Sequence, residues 1–132
     1  MQHADPHGEL IVIEDHPLLR AALALALRTE GFVVYATGET SAALGLLAEH
    51  PAVAAVVLEI DFGPGRQSGF AFTDAARRLR PDIGIVFLTG RADLLVGRDT
   101  GPQEAHLVKP VTVSRIAAAV RRVAHATLPP VT

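Results

Sequence analysis

Five short apolar runs punctuate the chain, at residues 10–13, 32–36, 54–61, 83–88 and 105–108. They are near-continuous rather than alternating, which predicts strands buried on both faces. Longer segments of mixed character lie between them. Residues 17–29 begin with Pro17, suited to a first helical turn, and stop at Gly31. Thr40 or Ser41 can cap a helix running to Glu49, with Leu44, Leu47 and Ala48 on one face and Pro51 as its stop. A third helix is predicted over residues 70–79, before Pro81. Thr112 can cap a last helix with Ile116, Val120 and Val123 inward and Arg115, Arg121, Arg122 and His125 outward. Residues 91–104 are the exception. Ala92 to Val96 suit only a short helix, since Gly97, Gly101 and Pro102 follow. Strands thus alternate with helices five times, which predicts a single α/β domain with a parallel sheet covered on both faces. Right-handed crossovers follow almost by default.

The boundaries read as a loose lead-in at residues 1–8, a domain at 9–126 and a tail at 127–132. His3 and His7 have a helical metal spacing, but Pro6 and Gly8 disfavour that helix. An apolar fraction of 49% is enough for a core in 132 residues, and the net charge of -2 argues against nucleic acid as a partner. The chain has no cysteine, which excludes disulfides and thiolate metal sites and fits a cytoplasmic location. No apolar run has membrane-spanning length, and no signal-peptide pattern opens the sequence.

The candidate chemistry sits where the strands end. The first ends in Glu14 and Asp15, the third in Glu59, the fourth in Thr89 and the fifth in Lys109. In a parallel sheet all these ends share one edge, where ligands of open α/β sheets bind. Three neighbouring carboxylates repel one another unless a cation joins them. Mg²⁺ suits an all-oxygen site that leaves room for water and phosphate oxygens. A lysine and a hydroxyl beside it can hold the other oxygens of a phosphoryl group. The pattern therefore points to phosphoryl transfer onto a carboxylate, or to recognition of a similar group. Any one of these residues alone is more simply a solvated strand end or a turn residue; the specificity lies in the joint placement.

The motifs Ile11-Val12-Ile13-Glu14-Asp15-His16-Pro17, Val56-Val57-Leu58-Glu59, Phe87-Leu88-Thr89-Gly90 and Val108-Lys109-Pro110 carry a family resemblance. Intervals of 44, 30 and 20 residues separate Asp15, Glu59, Thr89 and Lys109. Over about residues 9–126 the sequence resembles a response-regulator receiver domain of two-component signalling. The resemblance implies a doubly wound (βα)5 flavodoxin-like domain with strand order 2-1-3-4-5. It implies Mg²⁺ held by Glu14, Asp15, the phosphoacceptor position Glu59 and the main-chain carbonyl of Asp61. It also implies Lys109 reaching the phosphoryl group, Thr89 as a switch residue and a cis bond before Pro110. The expected partners are a sensor histidine kinase or phosphotransfer protein and a downstream protein target. The resemblance leaves the oligomeric state open and offers the face of the fourth helix, fifth strand and fifth helix, or another helical face, as the surface for a homodimer.

Three departures qualify the resemblance. Glu59 stands where the family has its acceptor Asp, either as a natural variant or as an engineered substitution. Its extra methylene moves the carboxylate, and a displacement of about 1 Å can cost an in-line reaction roughly 100-fold. The expectation is a phosphorylation-deficient receiver biased toward an active-like state; Asp61 is a weaker candidate acceptor. His106 stands where the family has an aromatic switch residue, so it is either part of the phosphoryl-responsive switch or a half-exposed strand residue. The glycine- and proline-rich stretch after Thr89 suggests a short, variable fourth helix. No second domain follows in this sequence, so output is expected through protein contacts rather than DNA. Two alternatives compete: a degenerate interaction or dimerisation scaffold without metal chemistry, and a Mg²⁺-dependent phosphoryl-transfer enzyme. The enzyme reading is disfavoured because the nucleophilic Asp and any phosphate-binding Gly-Lys-Ser/Thr loop are missing.

Overall fold

A computed structural model describes residues 8–60, 69–97 and 101–127. Five parallel strands form one sheet: β1 (Glu9–Ile13), β2 (Val33–Thr37), β3 (Val53–Glu59), β4 (Gly84–Thr89) and β5 (Glu104–Val108), in the order β2-β1-β3-β4-β5. The helices between them are α1 (Pro17–Thr29), α2 (Thr40–Glu49), α3 (Gly69–Leu79) and α4 (Val113–Thr127). This is the doubly wound flavodoxin-like order expected from the resemblance.

The continuous apolar strands feed two cores. Side chains alternate across a strand, so Leu10, Val12, Val57, Val86 and Leu88 pack beneath α1 and α4. Ile11, Ile13, Val56, Leu58, Ile85 and Phe87 face the opposite way, toward α2 and α3. The sheet centre is therefore dry on both sides. Burying one such side chain contributes roughly 1.5–3 kcal/mol, so these strands leave little freedom of register.

Local signals set the element ends. His16 is the N-cap of α1, its Nδ1 accepting from Leu19 N–H at 3.4 Å, and Pro17 opens the helix. Gly31 then turns the chain with φ 105°, in the left-handed region that favours glycine. Thr112 Oγ1 accepts from Arg115 N–H at 3.2 Å and caps α4, and Ile116, Val120 and Val123 are buried as their spacing predicts. For α2 the expected cap is corrected. Glu39 occupies the N-cap with no side-chain cap bond, because the helix starts one residue early and makes Thr40 its first residue.

The crossover from β4 to β5 carries a single 3₁₀ turn, Ala92–Leu95, among its described residues. Val96 is extended and Gly97 has φ 80°, so helical hydrogen bonding stops there. The face expected from a fourth helix, β5 and the last helix thus has only its last two components well formed in the described residues. The lead-in with His3 and His7, the loop with Asp61 and Arg66, and the last five residues lie outside the described residues, as does the side chain of His125.

Gly84 lets α4 approach the sheet. A Cβ there would lie 2.8 Å from Val123 Cγ2 and 2.9 Å from the Val123 carbonyl oxygen. Gly84→Ala is therefore expected to destabilise the fold by about 1–3 kcal/mol through overpacking. A urea unfolding curve checks this, and an unchanged midpoint would show that α4 shifts without cost.

Candidate functional site

The register aligns the C-terminal ends of the strands in one row. Ile13 lies beside Leu58, Glu59 beside Leu88 and Thr89 beside Val108. Ile60 N–H donates to Leu88 O at 3.3 Å and Lys109 N–H donates to Thr89 O at 2.8 Å, carrying the pairing one residue past the strands. Glu14, Glu59, Thr89 and Lys109 are thereby brought to one edge, although up to 95 residues separate them.

Glu59 is the buried centre of that row. Its side chain is 8% exposed, and its Oε1 forms an ion pair with Lys109 Nζ. A carboxylate removed from water needs a counter-charge, and Lys109 supplies one across the sheet edge. The Lys109–Pro110 peptide is cis.

Glu14 is also buried, whereas Asp15 is exposed. Glu14 N–H donates to Thr37 O at 3.0 Å, and its Oε2 accepts from His16 N–H at 3.0 Å. The Glu14 carbonyl accepts from Arg20 Nη1 at 2.9 Å. The donor set at this edge is oxygen-only, as a hard divalent cation requires. Asp61 lies outside the described residues, and no group of three acidic or imidazole side chains forms a metal cluster among the described ones. Among the described residues, Glu14 and the neighbouring Asp15 are the acids that would hold such a cation.

Thr89 is buried and turned into its own loop. Its Oγ1 accepts from Arg91 N–H at 2.9 Å. The Arg91 guanidinium bonds to Asp93 at 2.8 Å, and that hydrogen bond holds the Asp93 carboxyl below the usual carboxylate range.

His106 faces the α3 side of the sheet. Its ring makes an edge contact with Phe87 at 5.3 Å, and its Nε2 lies 3.0 Å from Glu104 Oε2. The other oxygen of Glu104 accepts from Arg77 Nη1 at 2.8 Å. Glu104 is 4% exposed, so β5 and α3 share a buried carboxylate. Sequence reasoning left out Glu104, Arg77 and Arg20. Glu104 and His106 are two apart and so share a strand face; that spacing is a readable signal for Glu104. Arg77 becomes relevant only once α3 is packed.

An open cavity of about 620 Å³ adjoins the site, between α1 and the β5–α4 connection. Leu19, Leu23, Pro110 and Ile116 line it, with Glu14 and Lys109 at one side. Leu18 and Leu25 extend the exposed apolar surface of α1. No helix among the described residues is long and apolar enough to cross a membrane.

A parallel five-stranded sheet with acids, a hydroxyl and a lysine on its C-terminal edge defines the receiver class. The response regulator receiver domain profile matches residues 10–121, and the chain belongs to that family of two-component signalling domains. It is 34% identical over 128 residues to the transcriptional regulatory protein AruR of Pseudomonas aeruginosa, covering 89% of this chain and 51% of that protein. The chain spans about half the length of the curated relatives it matches. A response regulator receiver protein from Sinorhizobium medicae superposes with TM-score 0.78 at 26% identity, covering 91% of this chain and 96% of the other. The response regulator TrrA of Thermotoga maritima, solved with Mg(2+)-BeF, superposes with TM-score 0.74 at 22% identity, covering 87% and 97%.

Two stability predictions follow from the ion pairs. Lys109→Met leaves Glu59 buried without its counter-charge. The expected loss is about 1–3 kcal/mol, below the roughly 3–5 kcal/mol of a fully buried pair because solvent screens the partly exposed lysine. A double-mutant cycle with Glu59→Gln, read by urea unfolding, is expected to return most of that loss; strictly additive effects would mean the two groups act independently. Glu104→Gln removes the charge shared by Arg77 and His106 and is expected to lower stability by about 1–3 kcal/mol. An unchanged unfolding midpoint would remove that carboxylate from the list of stabilising contacts.

Proposed function

We propose that this receiver does not accept a phosphoryl group at Glu59 and instead holds a partly active-like state through the Glu59–Lys109 pair. That pair is the observation that carries the reading. By the sequence resemblance Glu59 takes the acceptor position, and its Oε1 pairs with Lys109 Nζ. Glu59 supplies one negative charge and two oxygens there, less than a phosphoryl group would, so the bias is incomplete. The turn of Thr89 toward Arg91 fits an incomplete bias.

Glu14, Asp15 and Glu59, with the Asp61 carbonyl, are the proposed holders of Mg²⁺. The all-oxygen donor set supports this, as does the fold-level likeness to TrrA, which was solved with Mg(2+)-BeF. When bound, the ion would balance the charge of the acid pair. Glu14 would hold it through its carboxylate, one oxygen of which accepts from the His16 amide. Lys109 remains on Glu59. His106 would respond through its bond to Glu104 rather than by contact with a phosphoryl group.

The proposed partners are a sensor histidine kinase or phosphotransfer protein and a downstream protein. The apolar cavity beside α1 supports a docking role for that surface. The domain then signals by contact rather than by catalysis. A self-association face would use β5 and α4, because the described crossover supplies only a 3₁₀ turn there.

The test is incubation with Mg²⁺ and acetyl phosphate, followed by intact mass, on this chain and on Glu59→Asp. Only the Asp form is expected to gain a phosphoryl group. Labelling of the unsubstituted chain would sink the phosphorylation-deficient reading. Partner affinity of Glu59→Gln tests the bias separately: binding as tight as that of the unsubstituted chain would show that the carboxylate charge has no mimetic effect.

A further inference from the structure

Arg20 lies in the first turn of α1, three residues after Pro17. A cation is disfavoured at that end of a helix, where the macrodipole is positive. The side chain turns back out of the helix, and its Nη1 donates to the Glu14 carbonyl at 2.9 Å. It passes over Gly38, in the connection between β2 and α2. A Cβ at Gly38 would lie 2.5 Å from Arg20 Nη1 but 3.5 Å from the Glu14 carbonyl oxygen. The space left by the missing side chain is therefore filled by the guanidinium head.

We propose that Arg20, seated on Gly38, is a positioning residue for the Glu14–Asp15 acid pair. It acts through the Glu14 backbone. Three bonds fix that turn: Glu14 N–H to Thr37 O, His16 N–H to Glu14 Oε2, and Arg20 Nη1 to Glu14 O. The first ties the turn to β2 and the second to the start of α1. The third is charge-assisted, and such bonds are roughly twice as strong as neutral ones. Together they fix the peptide plane between Glu14 and Asp15, and with it the direction in which Asp15 leaves the turn. The consequence for a cation rests on the Mg²⁺ reading above; the positioning of the turn does not.

Amide hydrogen exchange tests the positioning. Gly38→Ala keeps the Arg20 charge but displaces its head at little steric cost, since the clash is with the end of a flexible side chain. Arg20→Met removes the donor. Both are expected to lower protection of the Glu14 and His16 amides about tenfold, with Ile11 in the β1 core unchanged. Arg20→Lys, which keeps a donor on a flexible stem, is expected to fall between. Unchanged protection in either Gly38→Ala or Arg20→Met overturns the proposal. So does an equal loss at Ile11, which would make Arg20 a general stability residue. Mg²⁺ titration followed at the Asp15 amide supplies the second arm: Gly38→Ala is expected to weaken binding about tenfold, the scale of lost outer-shell support. Binding of equal strength in the two proteins would overturn the consequence for the cation. No Mg²⁺ response in the unsubstituted chain, together with the expected exchange pattern, would overturn the metal reading while upholding the positioning role.

Discussion

A carboxylate at the end of a strand buried on both faces has few options. Water cannot reach it well, and the apolar chain leading to it cannot slip in register without exposing core side chains. Glu59 is in that position, and Lys109 answers it with a positive charge from the other side of β4. The pair depends on the parallel sheet, because only a parallel arrangement brings the ends of β3 and β5 to the same edge. The sheet in turn depends on two cores that leave its centre dry. The charge pairing at the edge and the packing beneath it are therefore one constraint.

Around that pair the polar groups are divided among separate tasks. Glu14 secures the β1–α1 turn, Thr89 closes its own loop, and Glu104 joins β5 to α3 through His106 and Arg77. Each task uses a group that could otherwise have faced a ligand. In the function proposed for this domain, the acid pair and the Lys109 side of the edge are the region for a cation and a phosphoryl-like charge. Receiver-family membership supplies the signalling context. Within that context the structure adds the ion pair between Glu59, at the buried end of β3, and Lys109.

The expected elements matched the structure wherever apolar periodicity was strong and a clear stop followed. Pro17, Gly31, Pro51 and Pro81 mark ends that a reader of the chain can find, because each restricts the backbone locally. The α2 cap was misplaced because Thr40 and Ser41 are good caps on their own, while the helix began at the earlier position allowed by the Gly38 turn. The stretch after Thr89 was legible only as weak helix. Glu104 was passed over: it falls at the end of the ambiguous 91–104 stretch, and its burial is decided only when Arg77 of α3 and His106 of β5 close on it.

By itself the sequence determined the alternation of strands and helices, the burial of both sheet faces and the row of polar residues at the strand ends. These follow from period, turn chemistry and the cost of exposing apolar side chains, all of which act over a few residues. Tertiary structure alone decided which of the polar residues meet. It paired Glu59 with Lys109 across β4, sent Arg20 over Gly38 to the Glu14 carbonyl and gave the two oxygens of Glu104 to different elements. Apart from Glu104–His106 within β5, those contacts join residues from separate elements or connections, so their partners exist only once the strands have been laid in order and the helices packed upon them.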